Sequence, residues 1–281
     1  MAHRQLDTCY QGTRYEYATT LSLSAISSVV QVPRPEDYGF DQICTLVEVD
    51  EQLRYPRKTF GVQTKPKSQR SLIFGGVDKK GEQKTWEIQW LFGRDIPLII
   101  SLVDLDPFCI KLYSTWNIWH AYWMSPQIST RQVTLDIGNL PPNDDDARWK
   151  SYPEDSNSYE KCTVYLGLPI VQLDSPLPDS DNISALYECL NFWVNLDWIN
   201  LQFRKLGVPF MYTVKDWETN RVPNLSNATW QFWNKYQGIR DNLLRTLSPM
   251  ITALEVDFTS NNEGGNIAKL SGIKEILNQK L

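Results

Sequence analysis

Asp41, which ends the loop Glu36-Asp37-Tyr38-Gly39-Phe40, and the short run Gly61-Val62-Gln63-Thr64-Lys65 are the residues of this sequence best suited to chemistry. Side chains alternate across a β-strand, so Gln63 and Lys65 share one face while Phe60, Val62 and Thr64 share the other. If the strand that Asp41 opens pairs with the strand carrying Gln63, a carboxylate, an amide oxygen and an ammonium come together. Such a trio suits metal-assisted phosphodiester hydrolysis. Asp41 and Gln63 offer the oxygen ligands that Mg2+ or Mn2+ prefers, and Lys65 can orient water and offset charge developing on a phosphoryl group.

Local charge points the same way. The chain carries a net charge of −5, which argues against a uniformly basic coat for nucleic acid. Yet between Gln52 and Val77 there is no Asp or Glu, while Arg54, Arg57, Lys58, Lys65, Lys67 and Arg70 are all present. A positive patch around the proposed site is what a phosphate backbone requires, with Lys58, Lys67 and Arg70 as its candidate contacts. A solvated basic hairpin is the alternative reading, as good as the functional one for Arg54 and Arg57 and weaker for Lys67 and Arg70. Asp37, before a glycine, suits a turn-capping role as well as a functional one. His3 and His120 are the only histidines, which argues against a Ser-His-Asp triad or a His-rich zinc site. His120 lies among Trp116, Trp119, Tyr122 and Trp123, where packing is the simpler use. Trp230 and Trp233, at helical spacing, read as core.

These groups need a scaffold. Residues 11–28 predict a helix, and VPRPEDYG a loop forced by Pro and Gly. Phe40–Val49 and Lys58–Lys65 read as successive strands, 71–77 as a short third one, and Trp86–Phe92 as either strand or helix. Ile96–Asp104 is apolar on both faces, as expected of a central strand covered on each side, with Phe108–Tyr113 as its neighbour. A Pro- and Asp-rich loop follows the aromatic segment and precedes a last strand, Cys162–Val171. Beyond Leu173 the pattern turns helical, with helices predicted from Ile183, from about Asn227 to Ala253, and from Ile267. The expected organisation is an α/β domain over 1–175 and a helical C-terminal module over 176–281. That module could form a homodimer or dock a partner protein.

The site residues resemble a known family. D…(D/E)XK is the signature of the PD-(D/E)XK, or restriction-endonuclease-like, superfamily, and Gln63-Thr64-Lys65 is similar to the Gln variant used by Mrr-type nucleases. Gly39-Phe40-Asp41 and Val62-Gln63-Thr64-Lys65 match that pattern of Gly, apolar residue, Asp, strand and V-Q-x-K. The order of elements resembles more closely the bacterial family catalogued as domain of unknown function 4365. Its helix with a Glu, its D-x-G-x-D, its V-Q-x-K strand and its strand running from Pro to Val-Asp look like Glu16, Asp37–Asp41, Val62–Lys65 and Pro97–Asp104. Where the family has Gly-Glu on the helix, this chain has Tyr15-Glu16. The likeness spans roughly residues 11–175. It implies a mixed central β-sheet flanked by helices, a Mg2+-dependent endonuclease with Asp41, Gln63, Lys65 and Glu16 as catalytic residues, Glu16 as a further metal ligand, DNA favoured over RNA, and a role in bacterial defence against phage.

The remaining composition sets outer bounds. Five scattered cysteines with no CxxC pair indicate neither a zinc site nor a disulfide framework. No apolar run is long enough to span a membrane, and no signal peptide is visible, so the chain reads as cytoplasmic. Two other functions stay open on the residues alone: a binding or regulatory protein with an inert site on the same fold, and an RNase.

Overall fold

In this computed structural model the described residues are 2–33, 39–50, 53–119, 122, 130–139, 161–178, 180–206, 210–214, 228–232, 251 and 256, with side chains described from residue 12 onward except at 49, 50, 53, 180–182, 210–214 and 228–232. Asp37, His120, Trp123, Trp233, the Pro/Asp-rich loop, most of the helix expected over 227–253 and the one expected from Ile267 lie outside them, as do the side chains of His3 and Trp230; where that first helix is expected to begin, Ala228–Phe232 is instead a strand, paired with Phe210–Val214. The fold is mixed α/β. Helix α1 (Ala2–Leu23) leads into β1 (Ser27–Gln31), β2 (Gln42–Asp50), β3 (Leu53–Pro66) and β4 (Ser71–Gly75). After α2 (Thr85–Gly93) come β5 (Leu98–Leu105), β6 (Phe108–Ser114), β7 (Gln132–Asp136), β8 (Lys161–Tyr165) and β9 (Val171–Leu173). Then follow α3 (Ser180–Lys205), β10 (Phe210–Val214) and β11 (Ala228–Phe232).

A six-stranded sheet in the order β1-β2-β3-β5-β6-β9 forms the centre. β3 and β5 run parallel, and the other neighbours run antiparallel. The parallel pair requires a crossover, which β4 and α2 supply. β5 is buried through Val103 and lies between β3 and β6, the place its two apolar faces demand. β4, β7 and β8 make a second, three-stranded sheet, and β10 pairs with β11.

Several elements depart from the expectation. The first helix ends at Leu23, and Ser27–Gln31 is an edge strand. Ser24 Oγ donates to the Leu21 carbonyl and Ser27 Oγ to that of Leu23, so local hydroxyls satisfy the last turn's carbonyls. The ambiguous Trp86–Phe92 run is helical because Ile88, Leu91 and Phe92, at helical spacing, are its buried residues. The single strand expected over Cys162–Val171 is two strands in different sheets, parted at Gly167, whose φ is +72°. β7 was not anticipated at all.

Two compact units are distinguished, one of residues 1–202 with 211–231, the other of 203–210 with 232–281. The first therefore runs past the boundary expected near 175. Leu186, Leu190, Trp193, Val194 and Leu196 of α3 belong to its hydrophobic core, so the helix read as opening a separate module is part of the α/β unit. In the second unit the described residues are 203–206, 210, 232, 251 and 256.

Candidate metal and phosphate site

Asp41 sits where β2 begins. Its amide donates to the Val62 carbonyl at 2.9 Å, and its carbonyl accepts from Val32 at 3.0 Å. The paired register of β2 with β3 starts at Gln42 opposite Val62, which leaves the next stretch of β3 without β2 backbone alongside. Asp41 covers that stretch with its side chain: Oδ2 accepts the Thr64 amide hydrogen at 2.5 Å. The carboxylate is thereby fixed on the peptide group that joins Gln63 to Thr64, one residue from Lys65.

The approach of Asp41 is built by glycines. Gly39 has a φ of +80°, and a Cβ there would come within 2.4 Å of Trp90 Cζ2. At Gly61 a Cβ would lie 2.1 Å from Phe40 Cδ1, so the ring rests directly on the strand's backbone. Trp90 packs against Phe40 at 5.3 Å and stacks on Phe74 at 5.8 Å. This aromatic wedge from α2 and β4 holds the Gly39-Phe40-Asp41 segment against β3.

Alternation along β3 assigns the faces. Thr64 Oγ1 donates to Thr19 Oγ1 of α1 at 3.5 Å, and Thr19 is hydrogen-bonded to Ser101 Oγ of β5 at 3.0 Å. α1 therefore covers the face to which Val62 and Thr64 point, and Gln63 and Lys65 point to the other. Asp41, Gln63 and Lys65 are each half-buried. Gln63 Oε1 is itself buried and has no hydrogen-bond partner among the described residues. A buried acceptor left unpaired costs about 1–3 kcal/mol, which is the state expected of an oxygen shaped for a cation or a water.

Glu16 is placed differently. It lies on α1, on the covered side, and its backbone carbonyl accepts from Gln42 Nε2 at 2.8 Å. Gln42, buried and next to Asp41, thus ties α1 to the start of β2, and sequence reasoning passed over it because a lone Gln in a strand carries no signal. Asp41 is bonded to the Thr64 amide, between Gln63 and Lys65 on β3, and the backbone of Glu16 is tied to the neighbouring Gln42.

The expected basic patch divides in two. Lys67 is on the site face, where its Nζ meets Asp104 Oδ2 at 2.7 Å, and Arg70 is exposed close by. The Asp104 carboxylate holds the Lys67 pKa above its ordinary value, while Lys67 lowers that of Asp104. Lys58 stands roughly 23 Å away along β3 at about 3.3 Å per residue. Its ammonium lies 3.4 Å from the ring centroid of Trp198 on α3. Arg57 is paired with Glu48, which raises its pKa. Lys58 is therefore not part of the surface around Asp41.

No family model, curated protein or solved structure matches the chain.

Among the described residues no group of three or more His, Cys, Asp and Glu side chains could hold a metal. Beside the Asp104 carboxylate that Lys67 occupies, the candidate ligands described on the site face are the Asp41 carboxylate and the Gln63 amide oxygen, both hard. That sparse set fits Mg2+, which is commonly held by one or two carboxylates and completes its shell with water and phosphate oxygens. No helix among the described residues is long and apolar enough to cross a membrane.

Proposed function

We propose that this protein is a metal-dependent nuclease that hydrolyses phosphodiester bonds, with DNA as its favoured substrate. The observation that carries the reading is the Asp41 carboxylate anchored on the Gln63–Thr64 peptide beside the unpaired, buried Gln63 oxygen. Asp41 and Gln63 would hold the cation. When bound, Mg2+ polarises the scissile phosphate and makes water more acidic. Lys65, on the same face of β3 as Gln63, makes no ion pair among the described residues and would bring its cation to that site. Its ammonium orients the attacking water and offsets charge on the phosphoryl oxygens. The Thr64 amide keeps Asp41 from rotating away, and the Phe40–Trp90 wedge keeps the carboxylate against β3.

A mixed sheet with helix α1 packed on it supports the restriction-endonuclease-like reading of the fold, and with it a role in defence against foreign DNA. The scarcity of acidic ligands among the described residues favours a second reading, a nucleic-acid-binding protein with an inert site. One assay separates them. Purified protein is incubated with plasmid, linear DNA, single-stranded DNA and RNA, with Mg2+ or Mn2+ and with EDTA. The nuclease reading expects metal-dependent cutting that Asp41→Ala and Lys65→Ala abolish. Cutting that survives both substitutions overturns the mechanism. Retention on a gel without cutting selects the binding protein, and cutting of RNA alone selects an RNase.

A further inference from the structure

The register of the central sheet places a second lysine on the site face. Lys65 of β3 stands opposite Leu102 of β5, and Leu102 stands opposite Lys111 of β6. Residues directly opposite in neighbouring strands project to the same face. Lys65 and Lys111 therefore flank Leu102 in one row, with backbones roughly 10 Å apart at about 4.8 Å per strand. Leu102, buried and shorter than either lysine, is the β5 residue between them in this row.

The neighbouring rows define the surroundings. On one side run Gln63, Ile100 and Tyr113. Tyr113 is buried, which pushes its pKa up against the opposing pull of Arg70. On the other side Lys67 is already neutralised by Asp104. Lys65 and Lys111, by contrast, make no ion pair among the described residues. Two half-buried lysines on one sheet face, with Arg70 nearby, are a favourable arrangement for an anion.

We infer that Lys111 binds the backbone phosphate next to the scissile one, so that Lys65 and Lys111 grip consecutive phosphates of a nucleic-acid strand across Leu102. The inference rests on the nuclease reading and names a contact beyond its catalytic residues. Lys111 lies outside the basic run of the sequence, and the pairing of β6 with β5 alone brings it to the site.

Binding of a fluorescein-labelled DNA duplex, followed by anisotropy in EDTA over a salt titration, tests it on the full chain. Lys111→Ala is expected to weaken binding several-fold and to flatten the dependence of log K on log salt by about one, the share of a single phosphate contact. Lys111→Arg is expected to restore both, and Lys79→Ala, in the loop after β4, to change neither. Wild-type affinity and slope in Lys111→Ala overturn the inference. If wild-type protein still cuts with Mg2+ in that case, the nuclease reading stands and Lys111 alone is refuted. If wild-type protein shows no salt-dependent binding of DNA, the subsite falls together with its substrate.

Discussion

The Asp41 carboxylate and the Thr64 amide, 2.5 Å apart, close the gap that opens in the central sheet where β2 begins. This hydrogen bond has two consequences. It satisfies a backbone donor that has no strand partner on that side, and it aims one carboxylate at the face shared by Gln63 and Lys65.

The two roles of Asp41 are separable. Asp41→Asn keeps an acceptor for the Thr64 amide but loses the charge, so it should melt close to wild type and fail to cut. Asp41→Ala leaves that amide unpaired and should lose about 1–3 kcal/mol as well as cutting. Urea unfolding set beside the cleavage assay checks both. Full cutting by Asp41→Asn would show that the carboxylate serves the sheet alone.

Gln63 carries an acceptor without a partner, which predicts an unusual response to a near-isosteric apolar residue. In EDTA, Gln63→Met should be as stable as wild type or more so, because an unsatisfied buried oxygen has been removed. With Mg2+ the wild-type Tm should rise by the linkage of binding to folding, and that of Gln63→Met should not. Equal shifts in the two proteins would exclude Gln63 as a ligand.

The deepest polar cluster predicts the largest loss of stability. Asp197 of α3 accepts from Arg94 Nη2 at 3.2 Å, from the Leu98 amide at 3.4 Å and from Trp119 Nε1. Arg94 also donates to Thr115 Oγ1 at 3.0 Å, and Thr115 to the Leu98 carbonyl at 2.8 Å. The cluster joins α2, the start of β5, the end of β6 and α3 at full burial. Asp197→Ala strands a buried guanidinium and should cost about 3–5 kcal/mol in urea unfolding. A loss within about 0.5 kcal/mol, the range of ordinary surface substitutions, would show that water reaches the cluster.

Burial raises the thiol pKa of Cys44, Cys162 and Cys189 from 9.0 to about 12, with Ser27 weakly opposing the shift at Cys44. Above 9.0 the unfolded chain releases protons that the folded chain retains. Their contribution is therefore complete below pH 9.0 and is lost as pH rises toward about 12. The slope is about 1.4 kcal/mol per pH unit for each thiol. Urea midpoints should fall through this window, and Cys162→Ala should make the fall shallower. Iodoacetamide at about pH 8 should leave all three unlabelled in the native protein, since buried thiols are inert.

Much of the scaffold was legible in local pattern. The apolar run of β5 signalled burial on both faces, and the alternation around Val62–Lys65 gave the facing of Gln63 and Lys65. The Pro- and Gly-bearing loop before Asp41 marked the entry to β2. Harder to read were the segments whose state depends on distant partners. Ser27–Gln31 carries only five residues and is a strand because β2 pairs with it. α3 resembled the start of a module because its amphipathic face does not say which sheet will cover it.

What the sequence by itself determined was the set of chemical groups and their alternation within one strand, because those follow from the side chains and the period of the backbone. Only the tertiary structure decided which groups meet. It tied the Glu16 backbone to Gln42, moved Lys58 away to Trp198, paired Lys67 with Asp104 and brought Lys111 into the row of Lys65. Each of those outcomes depends on strand order and register between segments far apart in the chain, which long-range packing selects and no local pattern encodes.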